Sequence, residues 1–223
     1  MRYLVISDVH ANLEALEAVL AHVGTSCDHT LVLGDVIGYG ADPNAVVERL
    51  RGLQSVTFIR GNHDKVGTGL EPVTGFNHLA RQAIQWTASA LTPQNREWVA
   101  ALDRGPVEID ATVEICHGAP FDEDVYIFDE LDVRHAFAAA PRPLCLYGHT
   151  HVPAAFRMSG SGLQPMGPPR GERFQIVLDP DARYIVNCGA VGQPRDGDPR
   201  AAYGVVDIEK RTLTVRRTPA IQQ

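Results

Sequence analysis

Five short polar segments, each placed directly after an apolar, β-prone run, constrain this chain more than any other feature. In order they are Asp8-Val9-His10, Gly34-Asp35, Gly61-Asn62-His63-Asp64, His117-Gly118 and Gly148-His149-Thr150-His151. The apolar runs before them cover residues 3–6, 31–33, 56–59, 112–115 and 144–147. Such runs read as buried strands. Leu13, Leu16, Leu20 and Val23 then recur at helical spacing. Asp42-Pro43 reads as a helix cap followed by a first-turn proline, opening a second helix through Val46, Val47 and Leu50. This strand–loop–helix alternation predicts parallel strands with helices packed outside. Ligands gather at the carboxyl ends of strands in such sheets. The five segments would therefore deliver Asp, His and Asn to one end of the molecule.

The residue types narrow the chemistry. Carboxylates with imidazoles, and no thiolate, suit Mn²⁺, Fe or Zn²⁺ in an open site. Residues i and i+2 of a strand point to the same side. Asp8 and His10 could then grip one cation if the extended path continues past Ser7. His149 and His151 have the same spacing and could serve neighbouring cations. Gly34, Gly61, Gly118 and Gly148 fit turns where backbone passes close to a bound group. Taken alone, Asp8 and His10 also fit an ordinary strand-end turn and helix cap.

The middle stretch, residues 76–102, reads as helical, with Thr92-Pro93 starting its second part. After Gly105-Pro106 the pattern changes to short strands at 107–109, 112–115 and 144–147, and a run of them from 173 to the end. Residues 159–171, rich in Gly and Pro, read as a mobile loop. A chain of 223 residues with 44% hydrophobic content suits one domain over 1–223. Its formal charge of −7 argues against sequence-blind nucleic-acid binding, which needs basic patches. Cys27, Cys116, Cys145 and Cys188 form no C-x-x-C pair and read as reduced thiols. The amino-terminal residues run into a strand rather than a signal peptide, and no apolar run approaches the roughly 20 residues that span a bilayer. The cytoplasm is the expected location.

The five segments in this order resemble the calcineurin-like metallophosphoesterase superfamily, and residues 187–196, NCGAVGQPRD, resemble a bacterial branch of small phosphodiesterases and diadenosine-tetraphosphatase relatives. The resemblance implies an α/β fold, a four-layer α-β-β-α sandwich of two facing mixed sheets flanked by helices. It implies two divalent or mixed-valence metal ions: Asp8, His10 and His151 on one, Asn62, His117 and His149 on the other, and Asp35 bridging both. It implies hydrolysis of a phosphodiester or phosphomonoester of a small molecule or nucleotide, by in-line attack of hydroxide held between the cations. His63 matches the family's imidazole near the leaving group, with Asp64 placed to orient it. Asn62, His63, Arg195 and Tyr39 are the candidate substrate contacts. Arg195 fits a phosphate clamp and also a salt-bridged loop arginine, and Tyr39 fits a stacking platform or a packed loop residue. Arg60 reads as a structural ion pair, and Cys116 as a buried strand residue.

The chain departs from the phosphoprotein phosphatases. They carry G-D-x-x-D-R-G where residues 34–40 read GDVIGYG, without the Asp that supports the catalytic His or the Arg that binds phosphate. A serine/threonine phosphoprotein phosphatase, or a non-catalytic metal-binding interaction module of the same fold, is the alternative reading; a nuclease is disfavoured by the acidic balance. Oligomers are possible. Specificity is expected from loops after residue 38 and around 65–78, 119–130 and 192–199.

Overall fold

Strand β1 (Arg2–Ile6) shows how the apolar runs are used. Tyr3 and Val5 enter one buried cluster, and Leu4 and Ile6 enter another on the opposite face. A strand covered on both faces needs no polar alternation, which is why the run is continuous. The computed structural model describes residues 1–167 and 171–219. Chain order continues with α1 (Leu13–Val23), β2 (His29–Leu33), α2 (Pro43–Arg51), β3 (Val56–Ile59), α3 (Asn62–Thr68), α4 (His78–Ala90) and α5 (Pro93–Ala100). It is completed by β4 (Val107–Glu108), β5 (Val113–Ile115), α6 (Glu130–Ala139), β6 (Leu144–Tyr147), β7 (Ala154–Ser159), β8 (Gly162–Pro165), β9 (Arg173–Val177), β10 (Arg183–Asn187), β11 (Ala201–Asp207) and β12 (Thr212–Thr218).

The strands form two mixed six-stranded sheets, ordered β3-β2-β1-β11-β12-β9 and β4-β5-β6-β10-β7-β8. β1, β2 and β3 run parallel, as do β5, β6 and β10. Between the sheets lie Tyr3, Val5, Leu31 and Leu33 from one side and Val113, Ile115, Leu144 and Leu146 from the other. Outside the first sheet, Leu16, Val19, Val46, Leu50 and Val99 of α1, α2 and α5 cover Leu4, Ile6 and Val32. Outside the second, Val133, Ala136 and Phe137 of α6 cover Cys145, Tyr147 and Ile185. This is the expected four-layer α-β-β-α arrangement. Each fully buried Leu, Ile or Val contributes about 1.5–3 kcal/mol to holding the layers together.

Local signals set the helix starts. Asn12 caps α1 by accepting from the Ala15 amide, and Thr92 caps α5 from the Asn95 amide. Asp42 does precede Pro43 at the start of α2, but its side chain makes no capping hydrogen bond. The loop expected over 159–171 is also corrected. β7 and β8 form a hairpin with Ser159 paired to Gly162, and Gly162 takes φ 98°, where a side chain would be strained. Gly160 and Gly162 mark the turn of this hairpin, and Pro165 ends its second strand. Residues 168–170 of that stretch lie outside the described residues. Among the described residues no helix is long and apolar enough to cross a membrane.

Candidate metal centre

The carboxyl ends of β1, β2, β3, β5 and β6 carry the five polar segments to one place. The extended path expected past Ser7 is not what brings Asp8 and His10 together. The strand ends at Ile6, and Asp8 and His10 sit at φ 54° and 47°. Asp35, His149 and His151 are left-handed too, at φ 51°, 66° and 60°. Asp and His tolerate this region better than most residues, yet each such position costs on the order of 1–3 kcal/mol. Neighbouring backbone holds them there. The amides of Asp8 and His10 donate to the carbonyls of Gly34 and Asp35 at 3.1 and 2.9 Å, and the Gly192 amide donates to the Asp8 carbonyl at 2.9 Å. Glycines permit the crowding: a Cβ on Gly61 would strike the Asp35 carboxylate, and one on Gly148 would strike Ser7 Oγ.

Two groups of donor atoms result. Asp8, His10, Asp35 and His151 each offer an atom within 4.8 Å of the others, and Asp35, His117 and His149 do the same. Asp35 belongs to both. Asn62 adjoins the second group, with its Oδ1 3.2 Å from His117 Nε2. All seven residues expected at the metals are therefore gathered at one site. His149 and His151 fall into different groups.

The imidazoles are aimed by backbone carbonyls, an outer set of contacts that sequence reading missed. Nδ1 of His10, His117 and His151 donates to the carbonyls of Ile37, Leu33 and Gln193 at 3.0, 2.7 and 2.7 Å. That fixes the tautomer and leaves the Nε2 lone pair facing inward. His149 is turned over: its Nε2 donates to the Asp124 carbonyl at 3.2 Å, freeing Nδ1. Nε2 of His10 and of His151 face each other at 3.1 Å, and buried Asp8 Oδ2 has no hydrogen-bond partner. Two inward lone pairs and an orphaned carboxylate oxygen are a poor arrangement without a cation, and the donor set suits one. The residues fit the group.

The electrostatics divide the imidazoles: His10 and His149 are held neutral, whereas His117 holds a proton against Asp35 that a cation would have to displace. Burial holds His10 well below the ordinary imidazole value, against the pull of Asp35. Burial, helped by the charge of His117, brings His149 down to about 3. Burial would lower His117 as well, but the Asp35 carboxylate 3.5 Å away outweighs it and lifts His117 to about 10. Asp35 in turn is held far below the carboxylate range: burial opposes this, and His117 and His63 outweigh it.

His63 lies beside the first group, its ring 4.8 Å from that of His10. It touches no carboxylate through its ring. The ring packs on Tyr39 at 4.6 Å and Phe76 at 4.7 Å, and its buried Nδ1 has no partner. Gly38 makes room, since a Cβ there would lie 2.5 Å from that Nδ1. Burial carries His63 down to about 4. Asp64 does not orient it as expected: its two oxygens accept from the amides of Ile37 at 3.2 Å and Gly61 at 2.9 Å, tying the loop after β2 to the start of α3. Arg195 is exposed, bonds Gln193, and lies over the Tyr39 ring at 5.7 Å. Arg60 pairs with Glu123 at 3.0 Å. The thiols of Cys116 and Cys145 are buried, 3.6 Å apart.

The second group opens on a cavity of about 290 Å³, with Asn62 and His149 in its wall. Its other walls come from the loops around 65–78 and 119–130. Sequence placed specificity in those loops but did not name Lys65, Glu71, Phe76, Asp124 or Tyr126.

This arrangement defines a class. The family model for the calcineurin-like phosphoesterase superfamily domain matches residues 1–211, and the chain belongs to that superfamily. It is a metallophosphoesterase, a phosphate-ester hydrolase whose family implies divalent metals. An uncharacterized protein of Methanocaldococcus jannaschii is 35% identical over an alignment of 221 residues, spanning 96% of this chain and 85% of that protein. The crystal structure of a metallophosphoesterase from Sphaerobacter thermophilus is 37% identical with a TM-score of 0.84, covering 99% of this chain and 90% of that one. A hypothetical protein from Pyrococcus horikoshii OT3 shares the fold, with a TM-score of 0.76 at 17% identity over 99% of this chain and 89% of that one.

Proposed function

We propose that the chain hydrolyses a phosphodiester or phosphomonoester of a small molecule or nucleotide with two cations that share Asp35. The carrying observation is the pair of donor groups with Asp35 in common. Asp8, His10 and His151 would complete one coordination set, and Asn62, His117 and His149 the other. Mn²⁺, Fe and Zn²⁺ all suit imidazole and carboxylate donors. Bound there, the cations would lower the pKa of a shared water and offset the charge of the phosphoryl oxygens. The chain's own residues do the rest. Asp35 is fixed by the His63 amide, which donates to its Oδ1 at 2.8 Å. His63 offers an imidazole N–H toward the leaving oxygen, its ring held by Tyr39 and Phe76 rather than by a carboxylate. Asp64 locks the backbone that carries both Asn62 and His63. Arg195, exposed and seated over the Tyr39 ring, adds a guanidinium for a phosphate oxygen. The missing Asp-Arg pair in residues 34–40 argues against a dedicated phosphoprotein phosphatase.

The test strips metals with chelator, restores Mn²⁺, Zn²⁺ or Fe²⁺, and follows bis-p-nitrophenyl phosphate beside p-nitrophenyl phosphate. Two metals per chain and turnover abolished in Asp35→Asn are expected, with the rate ratio assigning diester or monoester preference. A chain that binds no metal under any of these conditions would remove the proposal.

A further inference from the structure

We infer that the cavity beside the second donor group selects esters of a ring-bearing alcohol that carries no second anionic group; the inference rests on the phosphoesterase reading above. Asn62 and His149 line this cavity, so the organic part of an ester whose phosphate meets them extends into it. Two rings line it, Phe76 with a face to offer a ligand and Tyr126 with its faces taken by other rings. Phe76 is braced against His63 at 4.7 Å, and Tyr126 is stacked on His149 at 3.8 Å and on Phe128 at 5.0 Å. Rings already fixed by packing lose little freedom when a flat group stacks on them.

The charges exclude an anion. Among the described residues lining the cavity, Lys65 is the one lysine or arginine, against the carboxylates of Glu71 and Asp124. Lys65 is 2% exposed. Its ammonium is spent on Glu71 at 3.2 Å, Glu123 at 3.1 Å and Asp124 at 2.8 Å. Three donors meet three carboxylates, so none is left for a ligand anion. Glu71 and Asp124 stay about half exposed, at 49% and 50% for their side chains, and present negative charge to whatever enters. A phosphate or carboxylate on the alcohol would meet like charge there, whereas N–H and O–H donors would be accepted. Arg195, over the Tyr39 ring and hydrogen-bonded to the Tyr126 side chain, is the nearest further cation and stands outside the lining, so the charge within the cavity is set by Glu71 and Asp124. Glu71 and Asp124 are thus specificity-determining residues.

The test compares benzyl, propyl and 4-carboxybenzyl phosphates, as monoesters and as methyl diesters, on the Mn²⁺-loaded enzyme. Their alcohols have similar leaving ability, so kcat/KM ratios report the cavity. The benzyl ester should exceed the propyl ester by about tenfold, and Phe76→Ala should level the two. The 4-carboxybenzyl ester should fall about tenfold below the benzyl ester, and the Glu71→Gln/Asp124→Asn double variant should invert that order. In parallel, saturation-transfer NMR on metal-free protein should detect benzyl alcohol, lose it in Phe76→Ala, and detect 4-(hydroxymethyl)benzoate only in the double variant. Equal kcat/KM for all three esters, or a charge preference the double variant leaves unchanged, overturns the inference while hydrolysis itself stands. No hydrolysis with metals bound sinks the phosphoesterase reading instead, and the NMR arm alone then decides the cavity: the same pattern supports it, and no saturation of benzyl alcohol overturns it.

Discussion

The two donor groups share Asp35 and differ in what surrounds them. Asp8, His10 and His151 are all buried, leave their strand ends at positive φ, and are tied through backbone hydrogen bonds to Gly34, Asp35, Gly192 and Arg195. His117, His149 and Asn62 draw on a strand end, a kinked loop and the first turn of α3, and two of them face a cavity. The first group is enclosed by the meeting of two sheets. The second is closed on one side only by loops pinned through Lys65, Glu71, Glu123 and Asp124. Enclosure favours retention of a cation, while the open side admits a ligand. A site built this way separates holding from exchanging without different donor chemistry.

The largest effect should come where the distinction vanishes. Asp35→Asn removes the carboxylate common to both groups and leaves buried His117 without its counter-charge. Turnover should fall by on the order of 10³-fold or more, corresponding to several kcal/mol of lost charge stabilisation. Elemental analysis should show both cations depleted. Retention of two tightly held cations would mean the groups do not depend on Asp35.

The next variants separate the groups. His151→Ala should lower cation content toward one per chain and resist rescue by added Mn²⁺, because its donor is buried within a closed cluster. Asn62→Ala should weaken one cation by about 10–100-fold and recover activity in excess Mn²⁺, because its site opens outward. Identical metal-rescue curves for the two variants would break the comparison.

Tyr39 tests how His63 is held in the absence of a supporting carboxylate. Tyr39→Leu removes a ring packed on both His63 and His10 and should lower kcat about tenfold, the equivalent of one aromatic contact. Tyr39→Phe keeps the ring and should stay within about threefold. A kcat unchanged in the Leu variant would assign the positioning to Phe76 alone.

Much of this was legible in the sequence, for identifiable reasons. Strands buried on both faces give continuous apolar runs, and polar residues at their ends are costly unless they have work to do, so the strand-end Asp, His and Asn residues stood out as candidates, and the family resemblance supplied their grouping. The geometry that unites them could not. Left-handed turns at Asp8, His10 and Asp35 depend on neighbouring strands accepting and donating hydrogen bonds, not on local spacing. The i, i+2 argument reached the right partners by the wrong path. Helix α3 was hidden because its first turn doubles as the Asn62-His63-Asp64 segment. Helix α6 and the β7–β8 hairpin escaped because half-exposed elements carry weaker periodicity. The cavity escaped because its walls are loops joined by ion pairs distant in the chain, as between Lys65 and Asp124.

The smallest effect probes the pin behind the open group. Burial alone would raise the Glu123 carboxyl, but hydrogen bonds from Arg60 and Lys65 outweigh it and hold it below the usual carboxylate value. A folded-state value below the unfolded one contributes stability at pH above the unfolded value, and that contribution is lost as pH falls through the lower, folded value. In metal-free protein, Tm should therefore drop more steeply between about pH 6 and pH 3 for the native chain than for Glu123→Gln, whose amide does not titrate. The two curves should converge at the acid end, where the native carboxyl is protonated. Parallel curves would mean that Glu123 is not held by charge, and that the outer wall of the open group is fixed by packing instead.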